Sequence, residues 1–343
     1  MIVDLPDTTS SGVSKALVKI REEGGAVALG RVLTLVISTA LGEEEEAIEA
    51  ANDASREHPM RVIVLSTAAG ETASGRPHET RPHETRLDAQ IRVGGDAGAS
   101  EVVVLKAYGD AASDQEGLVT ALLLPDAPVV VWWPGEAPAS TAESELGTIG
   151  QRRITDAGAS ADPLAALLSL AESYTPGDTD FAWTRLTLWR AQLAAVLDQP
   201  PFEPVTSVEV AGAADSPSTY LLAAWLRRQL DCELVLRTST TGHPSGGIHG
   251  VVLHRASGTV RLERNLPPIA VLEQPGQPRH DISLPRRSLR DCLAEELRSL
   301  GPDDLFGEVI RHGLERLPGL GRSTVHRSGT SRARSATRER AGS

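Results

Sequence analysis

The sequence predicts an α/β protein: an open, mostly parallel N-terminal sheet with helices on both faces, then a C-terminal α/β (α+β) domain with an antiparallel meander. Three observations support this prediction. Apolar runs typical of buried strands alternate with amphipathic helical segments over the first 68 residues. Short apolar runs separated by Gly, Pro and Asn fill residues 248–285. The length of 343 residues exceeds what one hydrophobic core usually serves, so we expect two domains.

The first elements follow the order strand, helix, strand, helix, strand. Three apolar runs are predicted strands: Ile2–Leu5, Leu29–Ser38 and Arg61–Ser66. Between the first two, Val13, Leu17 and Ile20 recur on one helical face, and Gly24-Gly25 ends that helix. Four acids at Glu43–Glu46 suit the first turn of a second helix, because negative charge there complements the helix dipole.

The rest of the N-terminal domain contains a break and then further alternation. The pentapeptide Arg-Pro-His-Glu-Thr occurs at 76–80 and again at 81–85, which predicts a solvated low-complexity loop over residues 71–86. The following elements are a hairpin, a helix, a central strand and a closing helix: 88–93 with 101–107, 115–123, 128–133 and 163–173. We therefore place the N-terminal domain at residues 1–174.

The second domain is predicted over residues 175–318. It opens with a helix at Phe181–Leu197, whose apolar residues follow the 3.6-residue period. A strand, a helix, a strand, the meander and two final helices follow: 205–210, 217–230, 233–237, 248–285, 288–300 and 302–317. Residues 319–343 are a predicted disordered tail, because from Arg322 they carry six arginines, one acid and almost no apolar side chains.

Composition limits the partners and the compartment. The net charge of −12 disfavours nucleic acids and anionic membranes, which bind positive surfaces. Cys232 and Cys292 cannot form a disulfide framework and lack the CxxC spacing of redox or zinc motifs. The first residues have no basic or apolar segment of a signal peptide. We expect a cytoplasmic protein that binds neither nucleic acid nor membrane.

Several catalytic and cofactor motifs are missing from the sequence. Its three lysines, Lys15, Lys19 and Lys106, complete neither a GxxxxGK phosphate loop nor an SxxK nucleophile. GxSxG is absent, and the first strand–helix turn has no GxGxxG for a dinucleotide. We therefore expect no cofactor, no catalytic residues and a non-enzymatic protein.

Two patterns could hold a metal. Asp178 and Asp180 have the DxD spacing of metal-dependent sugar-nucleotide transferases, but they precede a helix, so N-capping is the favoured interpretation. Three histidines and one cysteine could suggest zinc: His243, His249, His254 and Cys232. They lack a closely spaced ligand pair, and a structural role is favoured. His78 and His83 of the repeat have no third ligand nearby. We therefore expect no metal.

Two further segments predict a binding surface. Trp132 and Trp133 end a strand at Pro134-Gly135, so they point to opposite faces at the edge where α/β sheets bind ligands. Either one of them is core and the other meets a helix or solvent, or both are core.

The second segment combines tryptophan with arginine, the residue types that dominate interface hot spots. Arg185 and Trp189 are four residues apart, which predicts a cation–π contact on one helical face. The candidate partner interface comprises nine residues: Trp132, Trp133, Arg152, Arg153, Asp156, Asp178, Asp180, Trp183 and Arg185.

These segments resemble the OpcA family, the glucose-6-phosphate dehydrogenase assembly proteins of actinobacteria and cyanobacteria. The resemblance lies in residues 29–36, 57–64, 122–134, 152–156 and, most specifically, 177–190 (Gly-Asp-Thr-Asp-Phe-Ala-Trp-Thr-Arg-Leu-Thr-Leu-Trp-Arg). It extends to about residue 318. The pentapeptide repeat and the Arg-rich tail depart from the family pattern.

The resemblance implies a non-enzymatic partner of glucose-6-phosphate dehydrogenase, required for its assembly or active state in the oxidative pentose phosphate pathway. Cyanobacterial members are associated with redox control, which the two cysteines here do not lead us to expect. Two alternatives remain. One is a metal-dependent enzyme acting on sugar phosphates or sugar nucleotides through Asp178 and Asp180. The other is a regulator that senses such a ligand near Arg152 and Arg153.

Overall fold

The computed structural model describes residues 1–24, 32–68, 85–94, 101–240, 246–317 and 320. Within these ranges it confirms the predicted fold class, with an eight-stranded, mostly parallel sheet and a six-stranded, mostly antiparallel sheet. Residues 71–84 of the predicted 71–86 loop, which include all of the pentapeptide repeat except Thr85, lie outside the described residues, as does almost all of the 319–343 tail. Arg86 is described and begins a strand.

The first sheet has the strand order β1-β4-β5-β3-β2-β6-β7-β8. Its strands are β1 (Ile2–Leu5), β2 (Leu33–Ala40), β3 (Met60–Thr67), β4 (Arg86–Arg92), β5 (Glu101–Tyr108), β6 (Val129–Trp133), β7 (Arg152–Thr155) and β8 (Asp178–Asp180). From β5 to β8 all neighbours are parallel, whereas β4 pairs antiparallel with β5 and with β1. The predicted hairpin pairing of β4 with β5 is therefore confirmed.

Helices cover both faces of this sheet. The helices of this half are α1 (Ser10–Gly24), α2 (Glu44–Ala54), α3 (Gln115–Thr120), α4 (Glu145–Ile149) and α5 (Pro163–Ser173). One face packs against α2 and the other against α1, α3 and α4. Neighbouring side chains of a strand point to opposite faces. Trp132 and Trp133 are accordingly both buried, one in each of these cores.

The second sheet has the order β10-β9-β11-β12-β13-β14. Its strands are β9 (Ser207–Ala213), β10 (Glu233–Ser239), β11 (Ile248–Arg255), β12 (Gly258–Leu266), β13 (Ile269–Glu273) and β14 (His280–Ser283). The strands from β11 to β14 form the predicted antiparallel meander. The remaining helices are α6 (Phe181–Thr184), α7 (Thr187–Leu197), α8 (Pro217–Leu230), α9 (Leu289–Glu296) and α10 (Asp304–Glu308).

The helix predicted over 181–197 is divided between α6 and α7. The carbonyl of Thr184, which a continuous helix would bond to an amide four residues on, instead accepts from the Thr187 hydroxyl at 2.9 Å and from Arg287 at 3.0 Å. Side-chain hydrogen bonds of this kind compete with the helical ladder.

Helix α9 belongs to the C-terminal half of the chain but packs on the first sheet beside α2. A capping box between Ser288 and Asp291 begins it. At its end, Glu296 is buried and accepts from Arg152 Nε of β7 at 3.0 Å. Strand β8 also follows the boundary predicted at residue 174 and joins the first sheet. The division at residue 174 stays a prediction.

Removal of one partner from the buried Arg152–Glu296 pair should destabilise the fold strongly. Arg152→Ala should lower the free energy of unfolding by about 3–5 kcal/mol, because the Glu296 carboxylate would stay buried without its partner. The matched control is Arg298→Ala, whose pair with Glu57 also links the two halves but is exposed to solvent. That change should leave the free energy of unfolding nearly unchanged. Urea unfolding of both variants measures the difference, and equal losses would contradict this assignment.

Candidate functional site

A cleft of about 590 Å³ lies at the carboxyl ends of β2, β6 and β7. The strand order reverses here, because the chain continues from β2 to β3 on one side and later returns to β6 on the other. Open α/β sheets bind ligands at such a point. The residues that line the cleft include Glu43, Glu45, Glu46, Asp156, Arg185 and Leu289.

The acidic side of the cleft is the first turn of α2. Glu43 and Glu46 are exposed at its rim, and Glu45 pairs with Arg92 at 2.6 Å. Glu44 turns inward and accepts from the Ser66 hydroxyl at 2.7 Å. Burial opposes ionisation of Glu44, but hydrogen bonds outweigh that effect and lower the pKa of its carboxyl. The rim therefore presents the carboxyl groups of Glu43 and Glu46 to solvent, whereas Glu44 is held inside the chain.

The floor of the cleft contains a two-pronged ion pair. Arg185, which caps the end of α6, donates from Nη1 and Nη2 to the two carboxylate oxygens of Asp156, each at 2.6 Å. Burial disfavours the charged guanidinium, but the hydrogen bonds and the charge of Asp156 raise the pKa of Arg185. Asp156 is buried, whereas the Arg185 side chain is 30% exposed. The pair therefore closes the floor and leaves one edge of the guanidinium in the cleft.

Asp180 lies directly behind this pair and is completely buried. Its carboxylate accepts from the amides of Ala182 at 2.7 Å and Ala157 at 2.8 Å and from the Thr155 hydroxyl at 2.6 Å. It is the N-cap of α6, as predicted. Burial and the negative charge of Asp156 raise the pKa of Asp180 to about 6.

Asp178 does not cap the helix, so that part of the capping prediction is wrong. It pairs with Arg153 on the neighbouring strand, with Nε to Oδ1 at 2.5 Å, and also accepts from the Thr141 hydroxyl and the Thr175 amide. The two remaining Arg153 nitrogens donate to the carbonyls of Gly150 and Pro176. Both charged groups are therefore fully used inside the chain.

Gly177 permits the turn that brings Asp178 beside Arg153. Its φ of +102° is unfavourable for other residues. A Cβ atom there would also lie 2.7 Å from the Gln151 carbonyl oxygen and 3.0 Å from Arg153 Nη2.

The opposite face of β7 and β8 carries a second buried group. Arg152 donates to Glu296 from both Nε and Nη2 and to the Gly301 carbonyl from Nη1. Glu296 also accepts from the hydroxyls of Thr179 and Thr184. Because side chains alternate along a strand, the consecutive Arg152 and Arg153 hold different parts of the chain.

The predicted contact between Arg185 and Trp189 is absent in the described structure. Arg185 lies 5.9 Å from the ring of Phe181, and the Trp189 ring contacts Arg264 at 5.3 Å. The Arg185 guanidinium is instead held by the two carboxylate oxygens of Asp156. Trp183 is buried, donates from Nε1 to Asp303 at 2.8 Å and stacks with Arg190 at 3.8 Å.

Of the nine candidate interface residues, Arg185 alone is appreciably exposed in the described structure. The other eight are buried: Trp132, Trp133, Arg152, Arg153, Asp156, Asp178, Asp180 and Trp183. Five of the nine meet around strands β7 and β8, and the tryptophans pack in the cores on either side. Their role at a partner interface stays a prediction.

The other candidates for metal or redox chemistry are separate from the cleft. His254 bonds Glu209 at 3.1 Å, Cys232 is partly buried, and His243 lies outside the described residues. Cys292 is buried, and that burial raises the pKa of its thiol to about 12. Within the part of the chain that the structure describes, no three His, Cys, Asp or Glu side chains lie together as metal ligands would.

Family profiles match both halves of the chain. The profile described as the glucose-6-phosphate dehydrogenase subunit N-terminal domain, of the OpcA type, matches residues 51–172. The corresponding C-terminal domain profile matches residues 176–310. Together they span most of the chain. The chain belongs to the OpcA family.

Similarity to individual proteins is weak for this OpcA family member. No curated protein sequence matches it. The structure of glucose-6-phosphate 1-dehydrogenase from Mycobacterium avium is 12% identical, with a TM-score of 0.41 over 82% of this chain and 90% of that one. A levoglucosan dehydrogenase in complex with NADH and levoglucosan is 9% identical, with the same TM-score over the same shares. At these values neither similarity carries an argument. None of the helices that the structure describes is long and apolar enough to cross a membrane.

Sequence reasoning missed the acidic rim as part of the site, and it missed Glu296. The acids of Glu43–Glu46 were assigned only to the helix dipole, although they directly follow a strand that ends at the binding edge. Their position just after the end of β2 could have indicated that these acids lie beside the cleft. Glu296 lies 144 residues from Arg152, and no local pattern connects the two.

The ionisation of Asp180 should make stability depend on pH. The pKa of Asp180 is raised in the folded chain from 3.8 to about 6. Between these two pH values the folded chain therefore keeps a proton on Asp180 that the unfolded chain has released. Stability should therefore fall as the pH rises through this window. Asp180→Asn removes this titration. Relative to the wild type, the variant should gain about 2–3 kcal/mol in the free energy of unfolding between pH 4 and pH 7. Urea unfolding at both pH values measures this gain, and a difference that does not change with pH would contradict it.

Proposed function

We propose that this protein binds glucose-6-phosphate dehydrogenase and stabilises its active state, without catalysing a reaction itself. The observation that carries the proposal is the match of both halves of the chain to domain profiles of the OpcA family, which are described as dehydrogenase subunit domains. A single matching domain would leave the other half unexplained. Here one profile ends at residue 172 and the other begins at residue 176, just before β8.

A binding protein changes an enzyme only by binding one of its states more tightly than another. A coupling free energy of about 1–3 kcal/mol changes substrate affinity by roughly 5- to 150-fold. Such coupling requires a docking surface that keeps its shape, so that it fits one state of the dehydrogenase better than the other. The buried charge network behind the cleft supports such a surface, because each of its carboxylates is held by several hydrogen bonds.

We place the docking surface at the open side of the cleft. Glu43 and Glu46 supply exposed negative charge there, and the guanidinium edge of Arg185 lies at the floor. We infer that a basic surface of the dehydrogenase meets this rim, since charge complementarity increases association rate and specificity. The eight buried candidate residues would then act by holding the rim in position.

The two alternative functions receive less support from the geometry. A metal at Asp178 and Asp180 would have to displace Arg153 from one carboxylate and two backbone amides from the other. A sugar phosphate near Arg152 and Arg153 would find every guanidinium nitrogen already donating to an acceptor. Both alternatives therefore require the buried network to open.

Steady-state kinetics test the proposal. The purified protein alone should not oxidise glucose 6-phosphate. Added to the glucose-6-phosphate dehydrogenase of its host, it should lower the substrate concentration for half-maximal rate or raise the maximal rate. Co-elution with mass measurement must verify that the complex forms. Unchanged kinetics in a verified, saturated complex would contradict the proposed activation, and failure to co-elute would contradict binding.

Charge reversal at the rim should weaken the complex. The double variant Glu43→Lys/Glu46→Lys should raise the Kd for the dehydrogenase at least about ten-fold, because it places positive charge against a basic surface. The matched control is Glu49→Lys, an exposed acid of the same helix that does not line the cleft. Calorimetric titration of both variants at low and moderate salt measures the effect. Equal weakening by the control would remove the rim from the interface.

A further inference from the structure

A hairpin tip of the second sheet consists of four consecutive apolar residues, three of which are exposed and one of which, Pro267, is half-buried. Strands β12 and β13 are joined through Pro267-Pro268, and Leu266 pairs in register with Ile269 across the turn. Leu266 is 68% and Ile269 is 52% exposed. Single exposed apolar side chains are ordinary on protein surfaces. Three exposed apolar residues within one four-residue turn that contains no charged residue are unusual unless they have a function.

The tip is held rigidly despite its exposure. The Leu284 amide donates to the Pro268 carbonyl at 2.6 Å, so the turn is tied to the chain that follows β14. Just before the tip, buried Arg264 donates to the carbonyls of Leu284 and Ile248 and contacts the ring of Trp189. The two proline rings also fix their own φ angles. Binding of a partner to the tip would therefore cost little conformational entropy, which favours affinity.

We propose that this tip, Leu266 to Ile269, is an apolar anchor that inserts into an apolar groove of glucose-6-phosphate dehydrogenase, as part of the same docking surface as the acidic cleft. The inference rests on the proposed function for its partner. It adds a second, chemically different contact that neither the family profiles nor the resemblance assigns.

The tip and the cleft are close along the chain. Leu284 bonds the tip, Arg287 donates to the Thr184 carbonyl of α6, and Leu289 lines the cleft. Leu289 is the fifth residue after Leu284, so their Cα atoms are at most about 18 Å apart. One interface of standard size, about 800 Å² on each partner, can cover both.

Other occupants fit the tip less well. The net charge of −12 repels anionic membrane surfaces. A second copy of this chain would need a stable contact of about 800 Å² on each side, which four residues at a hairpin tip do not supply alone. A small anchor beside a charged rim instead matches the anatomy of a heteromeric interface, with an apolar centre and a polar periphery.

The test compares two exposed apolar sites of the second domain. The double variant Leu266→Ser/Ile269→Ser should raise the Kd for the host dehydrogenase at least about ten-fold, as loss of hot-spot residues does. Its melting temperature should stay close to that of the wild type, because both side chains are exposed. The control is Phe202→Ser. Phe202 is 78% exposed and lies near the β11–β12 turn, about 26 Å away at the opposite end of β12.

Calorimetric titration and mass measurement of each free protein decide between the outcomes. Weaker binding by the double variant, with Phe202→Ser like the wild type, supports the anchor. Wild-type affinity in the double variant overturns the anchor but leaves the proposed function intact, since the complex still forms. Equal loss in the control, or a changed oligomeric state of the free double variant, also overturns it. If the wild type itself does not bind, the proposed function fails rather than the choice of surface alone.

Discussion

The burial of charge at strands β7 and β8 constrains the rest of the structure. A carboxylate or guanidinium removed from water is tolerated only when partners satisfy it. Strand alternation directs Arg152 and Arg153 to opposite faces, so each must find its own acid. Arg153 finds Asp178 on the adjacent strand, whereas Arg152 requires Glu296 from a helix near the other end of the chain. These contacts fix α9 on the first sheet and connect the two halves.

The groups of this network that stabilise the fold differ in exposure from the groups that we propose bind the partner. Groups behind the cleft, such as Asp156 and Asp180, are buried and engaged with several donors. Groups at its rim, such as Glu46, face solvent. A residue type common at interfaces can therefore occur in a family motif because it supports the surface that binds. On this account Trp183, Trp189 and Arg190 of residues 177–190 are structural, and the contact residues lie around them.

The sequence was sufficient for most elements but not for the long-range contacts. Long apolar runs with clear periodicity, such as Met60–Thr67 and Pro217–Leu230, lie within a residue or two of their predicted positions. Strands β7 and β8 have only three or four residues each and carry charges, so no apolar alternation marks them. At the division between α6 and α7, the Thr184 carbonyl accepts from Arg287, which lies 103 residues further along the chain. Arg185 is held by Asp156, 29 residues away in sequence, so the local spacing could not indicate that Arg185 lies over Phe181 rather than Trp189.

The central claim is that a buried charge network at β7 and β8 supports a separate docking surface. Amide hydrogen exchange of the free and the dehydrogenase-bound protein tests this claim most directly, because one experiment measures the protection of both regions. The account predicts that the amides of 152–155 and 178–180 exchange slowly in the free protein and change little on binding. It predicts new protection at 43–47 and at 265–270 once the dehydrogenase is bound. Rapid exchange at β7 and β8 in the free protein, or protection on binding confined to other surfaces, would contradict it.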